Sequence, residues 1–251
     1  MAGFDAATDV QAESWFACGI LNGSVACSGD ASNGDVGSAP EKVFIEDWQR
    51  SAYTPTPLVV PGTAGAVQLI TSLHGACALM QPSGTVLCWG FDDPYANGCF
   101  DTRGREKSAP PLPCRPHAPR TPPGLPSCKA FSGSIVNAAI SQEGQVYSWV
   151  EDGRKRDALP LPDFSSMQLV DVQSMNQICA ANQAHVRCAW APTPAAIPLE
   201  EIHYDGMVTD FAELTGAVAL AATFGGPCIR RADGSVWCAL SQRIVRVDTA
   251  P

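Results

Sequence analysis

One short pattern, repeated five times, limits what this chain can fold into more than any other feature. Its sharpest copy reads "HGACALMQPSGTVLCWG", from His74 to Gly90. Looser copies are "WFACGILNGSVACSG" around Cys18 and Cys27, "NQICAANQAHVRCAW" around Cys179 and Cys188, and "GGPCIRRADGSVWCAL" around Cys228 and Cys238. A fifth, "VNAAISQEGQVYSWV", carries Ala138 and Ser148 where the others have cysteines. In every copy a valine (Val25, Val86, Val146, Val186 or Val236) lies two residues before the second cysteine position. Internal repeats of this kind decide the architecture before any single residue does.

Residue pairing inside each copy points to a hairpin. Setting Cys18 against Cys27 leaves Asn22-Gly23 as a two-residue loop, the strongest short hairpin signal. Setting Cys228 against Cys238 leaves Ala232-Asp233-Gly234, and Cys179 against Cys188 leaves Gln183-Ala184. Cys77 against Cys88 leaves a four-residue loop ending in Gly84. The loop length changes, yet the two cysteines stay opposite each other. That is the pattern of a cross-strand disulfide at a non-hydrogen-bonded pair, where Cα atoms lie about 4.5 Å apart. The copy at Ala138 and Ser148 loses both cysteines together, as a paired role requires. Eight to ten intervening residues suit neither a redox C-x-x-C pair nor a zinc ligand pair.

The first cysteine positions are 18, 77, 138, 179 and 228, so the steps are 59, 61, 41 and 49 residues. Each unit reads as four short strands: an apolar strand, the C-A-L strand, the V-x-C strand and a Pro-flanked outer strand. The outer segments are "TPLVV", "LPLP", "AAIPL" and "RIVRV", with the second copy unclear. Four strands and their turns need about 40 residues, the period of a propeller blade. The fold expected is an all-β propeller of five repeats, occupying 1–251 as one domain. The two longer steps then hold insertions, neither long enough for a further blade.

Composition narrows the function. Hydrophobic residues make up 45% and charged residues 16% of the 251, a globular balance. Gly 22 and Pro 21 are spread along the chain, which favours many turns over a few long helices. The net charge is −9, and the densest basic run, Gly153–Arg156, is flanked by Glu151, Asp152 and Asp157. Nucleic acid is therefore not an expected partner. No apolar run approaches the ~20 residues of a membrane helix, so membrane insertion is not expected. Eleven cysteines, most of them paired, indicate an oxidising location: extracellular, cell surface or periplasmic.

The run "CALMQPSGTVLCWG", with its looser copies, resembles the repeat of the regulator of chromosome condensation family. It is most similar to the cysteine-bearing bacterial versions and to the crinkly repeats of plant receptor kinases. The resemblance implies a β-propeller, most often of seven blades in that family. It also implies binding in place of catalysis, since relatives include an exchange factor, chromatin readers, receptor ectodomains and a β-lactamase inhibitor. The Trp-Gly that ends the sharpest copy decays to Ser-Gly, Trp-Val, Ala-Trp and Ala-Leu elsewhere.

Between residues 91 and 127 the pattern fails, and a Pro-rich, charged segment reads as a long loop on one face. Cys99 and Cys114 lie inside it and Cys128 follows, an odd set of three. One reading is a disulfide, Cys99–Cys114 or Cys114–Cys128, with one thiol left over. The other is a zinc site from Cys99, Cys114, His117 and Cys128, which the prolines and the oxidising context oppose. No metal and no cofactor are expected. His203 and Asp205 read as a solvated pair on a strand, and His74 and His185 as structural residues of the repeat. No nucleophile-elbow, zincin, phosphate-loop or dinucleotide motif is present. The expectation is a non-enzymatic, disulfide-stapled scaffold that binds a protein partner through face loops, chiefly 91–127. The alternative is a lectin-like propeller binding glycans. Trp89, Trp149 and Trp190 end the V-x-C strands, but their register differs between copies, and packing between blades is the favoured reading of them.

Overall fold

A computed structural model describes residues 3–13, 15–31, 36–37, 42–46, 49–72, 75–90, 118–133, 136–150, 157–173, 177–190, 208–223, 225–240 and 243–247. They form five antiparallel sheets, each built from one copy of the repeat. The first contains β1 (Val10–Ala12), β2 (Phe16–Leu21), β3 (Ser24–Asp30), β4 (Lys42–Glu46) and β5 (Gln49–Val59). The second contains β6 (Ala66–Ser72), β7 (Gly75–Met80) and β8 (Val86–Gly90). In the third, β9 (Cys128–Gly133), β10 (Val136–Ser141), β11 (Val146–Val150) and β12 (Leu159–Pro160) follow in order. The fourth runs through β13 (Leu169–Gln173), β14 (Gln177–Ala181), β15 (Val186–Trp190) and β16 (Val208–Phe211). The fifth runs through β17 (Ala217–Thr223), β18 (Gly226–Arg231), β19 (Val236–Leu240) and β20 (Arg243–Val247). These meanders are the blades of an all-β propeller.

The hairpin registers match the sequence arithmetic. Cys18 faces Cys27, Cys77 faces Cys88, Cys179 faces Cys188 and Cys228 faces Cys238. Each pair is a disulfide, with Cα atoms 4.1, 4.1, 4.1 and 4.0 Å apart respectively. Ala138 faces Ser148 at the same place in the third sheet. The Asn22-Gly23 turn has φ of 51° and 73°, both left-handed as a type I′ turn requires. Four of the five repeated valines are core: Val25, Val86, Val146 and Val186 are all 0% exposed, while Val236 is half-buried. Full burial of one such side chain stabilises by about 1.5–3 kcal/mol, so the recurrence has a packing cause.

Three outer strands differ from the expected meander. The first sheet gains β4, paired along Lys42–Glu46 with the start of β5, which accounts for part of the first long step. In the second sheet the fourth place is taken by one residue, Arg120, whose N–H and carbonyl exchange hydrogen bonds with Cys88 at 2.9 and 2.8 Å. The tail of the 91–127 segment thus returns to the sheet. In the fourth sheet the outer strand is β16, not the expected Ala195–Leu199, which lies outside the described residues. The reason is visible in its side chains. Phe211 packs beside Leu214 on the core, and Asp210 meets Arg187 of β15 at 3.0 Å.

The chain packs as two compact units. The first runs through Pro123 and holds the first two sheets, with Val25, Val36, Val60, Leu69 and Trp89 in its core. The second takes Gly124–Val150 and continues from Asp157, holding the other three sheets. Phe164, Met167 and Ile178 fill the space where the third and fourth sheets meet, and Leu214 and Ile229 that between the fourth and fifth.

Inside each unit, first strands are tied by side chains to neighbouring sheets. The Asp9 carboxylate accepts the Leu69 N–H at 3.2 Å. The Ser132 hydroxyl donates to Asp171 at 2.7 Å, and the Val172 N–H donates to the Ser132 hydroxyl at 3.2 Å. Asp171 also accepts the Ala222 N–H at 2.8 Å, joining the third, fourth and fifth sheets.

Candidate functional site

A meander gives each sheet two unlike ends. The hairpin between second and third strands closes one end with a tight turn, as at Asn22-Gly23 and Ala232-Asp233-Gly234. The connections from first to second and from third to fourth strand leave at the other end. The three longest connections are of the third-to-fourth kind and follow Asp30, Gly90 and Trp190. After Val150 residues 151–158 precede β12, no more than the 161–168 that join β12 to β13 at the tight-turn end, and the fifth sheet has only residues 241–242 at this place. Variable loops on a rigid sheet are the usual place for binding, so this end is the candidate surface. The segment 91–117, with Cys99, Cys114 and His117, and the residues His74, His203 and Asp205 lie outside the described residues.

The described candidates are mostly structural. Cys128 is a free thiol, 1% exposed, donating to the Pro126 carbonyl at 3.1 Å. A Cys114–Cys128 bridge is therefore not formed. Burial first, and the Glu143 carboxylate second, push the Cys128 thiol up to about 12 from 9.0. A thiol held protonated in this way is neither nucleophile nor ready metal ligand. Among the described residues no group of three or more His, Cys, Asp or Glu is arranged to hold a metal. His185 sits at the tight-turn end, 3.4 Å from the Asn182 amide and 3.8 Å from Asp210, and braces that hairpin.

The tryptophans divide in an informative way. Trp89 and Trp149 are each 3% exposed and pack inside, as the packing reading expects, while Trp190 is half-buried. Trp15 is 67% exposed and sits at the loop-bearing end of the first sheet. Sequence reasoning passed over it because its setting, "ESWFACG", looks like any approach to an apolar strand. Two buried side chains, Asn137 and Gln177, have amides with no hydrogen-bond partner among the described residues.

The fold is similar to that of human WBSCR16, with 11% identity and a TM-score of 0.61 over 97% of this chain and 67% of that one. It is also similar to Prp20p of Saccharomyces cerevisiae, the yeast RCC1, with 17% identity and a TM-score of 0.54. That match covers 97% of this chain and 63% of Prp20p, so the chain spans less than two thirds of that relative. These likenesses show an RCC1-like β-propeller fold. No protein-family model and no curated protein matches the chain. No helix among the described residues is long and apolar enough to cross a membrane.

Proposed function

We propose that this chain is a non-catalytic binding scaffold for a protein partner in an oxidising compartment: extracellular, cell surface or periplasmic. The observation that carries the reading is the combination of four cross-strand disulfides with the longest connections leaving the same end of the first, second and fourth sheets. Disulfides of this number persist where glutathione does not reduce them. They fix the sheets, and the sheets hold the loops.

Prp20p, with the same fold, has binding properties toward Gsp1p and histones. That supports protein binding as the function proposed here. The 91–127 segment is the chief contact in this proposal, because it is the longest connection and is anchored back on the sheet by Arg120. Glycan binding draws no support from Trp89 and Trp149, which are buried.

The test compares partner recovery by the full chain and by a variant in which residues 92–117 become a Gly-Ser linker. Arg120 and its bridge are kept, and thiol titration verifies that the disulfides form. Loss of recovery supports the insert as the contact. Unchanged recovery removes it from the interface.

A further inference from the structure

We infer that one face of the fifth sheet is a docking surface for a second copy of this chain, which presents to it the opposite face of its own first sheet. The surface is a sheet face and not a set of loops, so it adds an interaction to the one proposed above.

Within each unit, successive sheets cover one another by a fixed rule. Side chains alternate between the two faces of a strand. Each sheet therefore has a cystine face, which carries the cysteine positions, and a reverse face. In the first unit, Cys18, Ile20 and Val25 of the first sheet pack with Ala76, Ala78 and Met80 on the reverse face of the second. In the second unit, Ala138 and Ile140 of the third sheet pack with Ile178 and Ala180 of the fourth. Cys179 and Val186 of the fourth sheet pack with Ile229 and Ala239 of the fifth. Three times, a cystine face is covered by the reverse face of the sheet that follows.

The cystine face of the fifth sheet is open to solvent. Arg230, Val236 and Val247 stand in one cross-strand row on it, and Cys228, Cys238 and Val245 in another. Leu240 and Val247 are each 42% exposed, and Cys228, Val236 and Val245 are half-buried. The same positions in the fourth sheet, Cys179 and Val186, are 0% exposed. Arg230 and Arg243, the latter opposite Leu240, are exposed on this face as well.

The first sheet presents the matching reverse face. Val10, Gly19, Ala26 and Val59 form one row across four strands, and directly opposed residues project to the same side. Val10 is 45% and Val59 59% exposed. A turn from Phe4 to Ala7 lies over the middle of the row, so that a Cβ on Gly19 would meet the Phe4 ring at 2.7 Å and the Ala7 Cβ at 3.2 Å. Asp5 is exposed in that turn, and residues 3–13 contain no Lys or Arg. Apolar side chains thus stand on both faces, with an acid beside one and two arginines on the other. Pairing of two fifth sheets would set arginine against arginine, so the first sheet is the favoured occupant. Because the two faces differ, the contact is head-to-tail and can extend from copy to copy. One sheet face is smaller than the interface of a permanent dimer, so the assembly depends on concentration.

The test measures the mass of the oxidised full chain by analytical ultracentrifugation over a wide range of concentrations. Two variants each block one face at exposed positions: Val10→Lys with Val59→Lys, and Leu240→Lys with Val247→Lys. Thiol titration and circular dichroism verify that both are folded. The parent should grow beyond a dimer as concentration rises. Each blocked variant alone should stay monomeric, its self-association weakened on the order of a hundredfold or more. Mixed together, the two should stop at a dimer, because each supplies the face that the other lacks. Asp5→Asn should weaken the parent's contact by roughly two- to fivefold, and added salt should act in the same direction. A parent that stays monomeric throughout, or a mixture that does, would overturn the docking surface. So would self-association of either blocked variant; a dimer of the Val10 and Val59 variant would mean that fifth sheets pair with each other. Insert-dependent partner recovery is measured on the same proteins, so a failure to self-associate leaves the protein-binding reading standing.

Discussion

The Asp171 carboxylate holds the Ala222 N–H at 2.8 Å, tying the first strand of the fourth sheet to that of the fifth, while its other oxygen accepts from Ser132 of the third. One side chain thus spans three sheets. Replacing it leaves a main-chain N–H and a hydroxyl without an acceptor in a half-buried place. Asp171→Ala should cost about 1–3 kcal/mol in chemical denaturation. Asp171→Asn keeps one acceptor oxygen and should recover part of that loss. Equal stability of Asp171→Ala and the parent would show that the tie is idle.

The third sheet offers a direct test of the staple. Ala138 and Ser148 stand in register where the other sheets have cystines, and they are 0% and 8% exposed. The double substitution Ala138→Cys and Ser148→Cys should form a fifth disulfide without rearranging the others. It closes a loop of the same size as its counterparts, so the expected gain is about 2–3 kcal/mol. Mass analysis of the unreduced protein reads the bond, and denaturation reads the gain.

Cys128 gives a pH dependence of known sign. Its thiol is pushed up to about 12 in the folded chain, against 9.0 for a solvated thiol. Above pH 9 the unfolded chain loses this proton while the folded chain keeps it, so unfolding gains. The contribution is fully present below pH 9 and is lost as pH rises toward 12. Cys128→Ala should flatten that part of the stability profile. Alkylation of native protein at pH 8 should spare Cys128 and should label it once the chain is unfolded.

Gln177 is 0% exposed, at the start of β14, and its amide has no partner among the described residues. A buried amide in that state costs about 1–3 kcal/mol. Gln177→Met keeps the shape and removes the polar atoms. It should stabilise the protein by about 1 kcal/mol. A loss of stability of that size would mean that the amide is satisfied.

The hairpins were legible because their evidence is local. Register follows from Cys18 with Cys27 and from Asn22-Gly23 between them, all within a dozen residues. The outer strands were legible in part: Leu159–Pro160, Arg243–Val247 and the end of β5 lie where the outer segments were expected, while pairing across the longest connections leaves no local trace. Val208–Phe211 is only half apolar, and it is marked as the outer strand by Phe211 packing beside Leu214 and by Asp210 pairing with Arg187. Arg120 forms a single bridge among prolines and carries no strand pattern at all. The tie from Asp171 to Ala222 depends on where two sheets meet, which periodicity does not encode. Trp15 was passed over for a similar reason: its exposure is set by the edge of the sheet, not by its neighbours in the chain.

The central claim is that the repeated cysteine pairs are structural staples, and a disulfide map tests it most directly. The chain is folded under oxidising conditions, unfolded without reductant, alkylated and digested. The account predicts Cys18–Cys27, Cys77–Cys88, Cys179–Cys188 and Cys228–Cys238, with label on Cys128. Label on any of those eight, or a bond between cysteines of different hairpins, would contradict it.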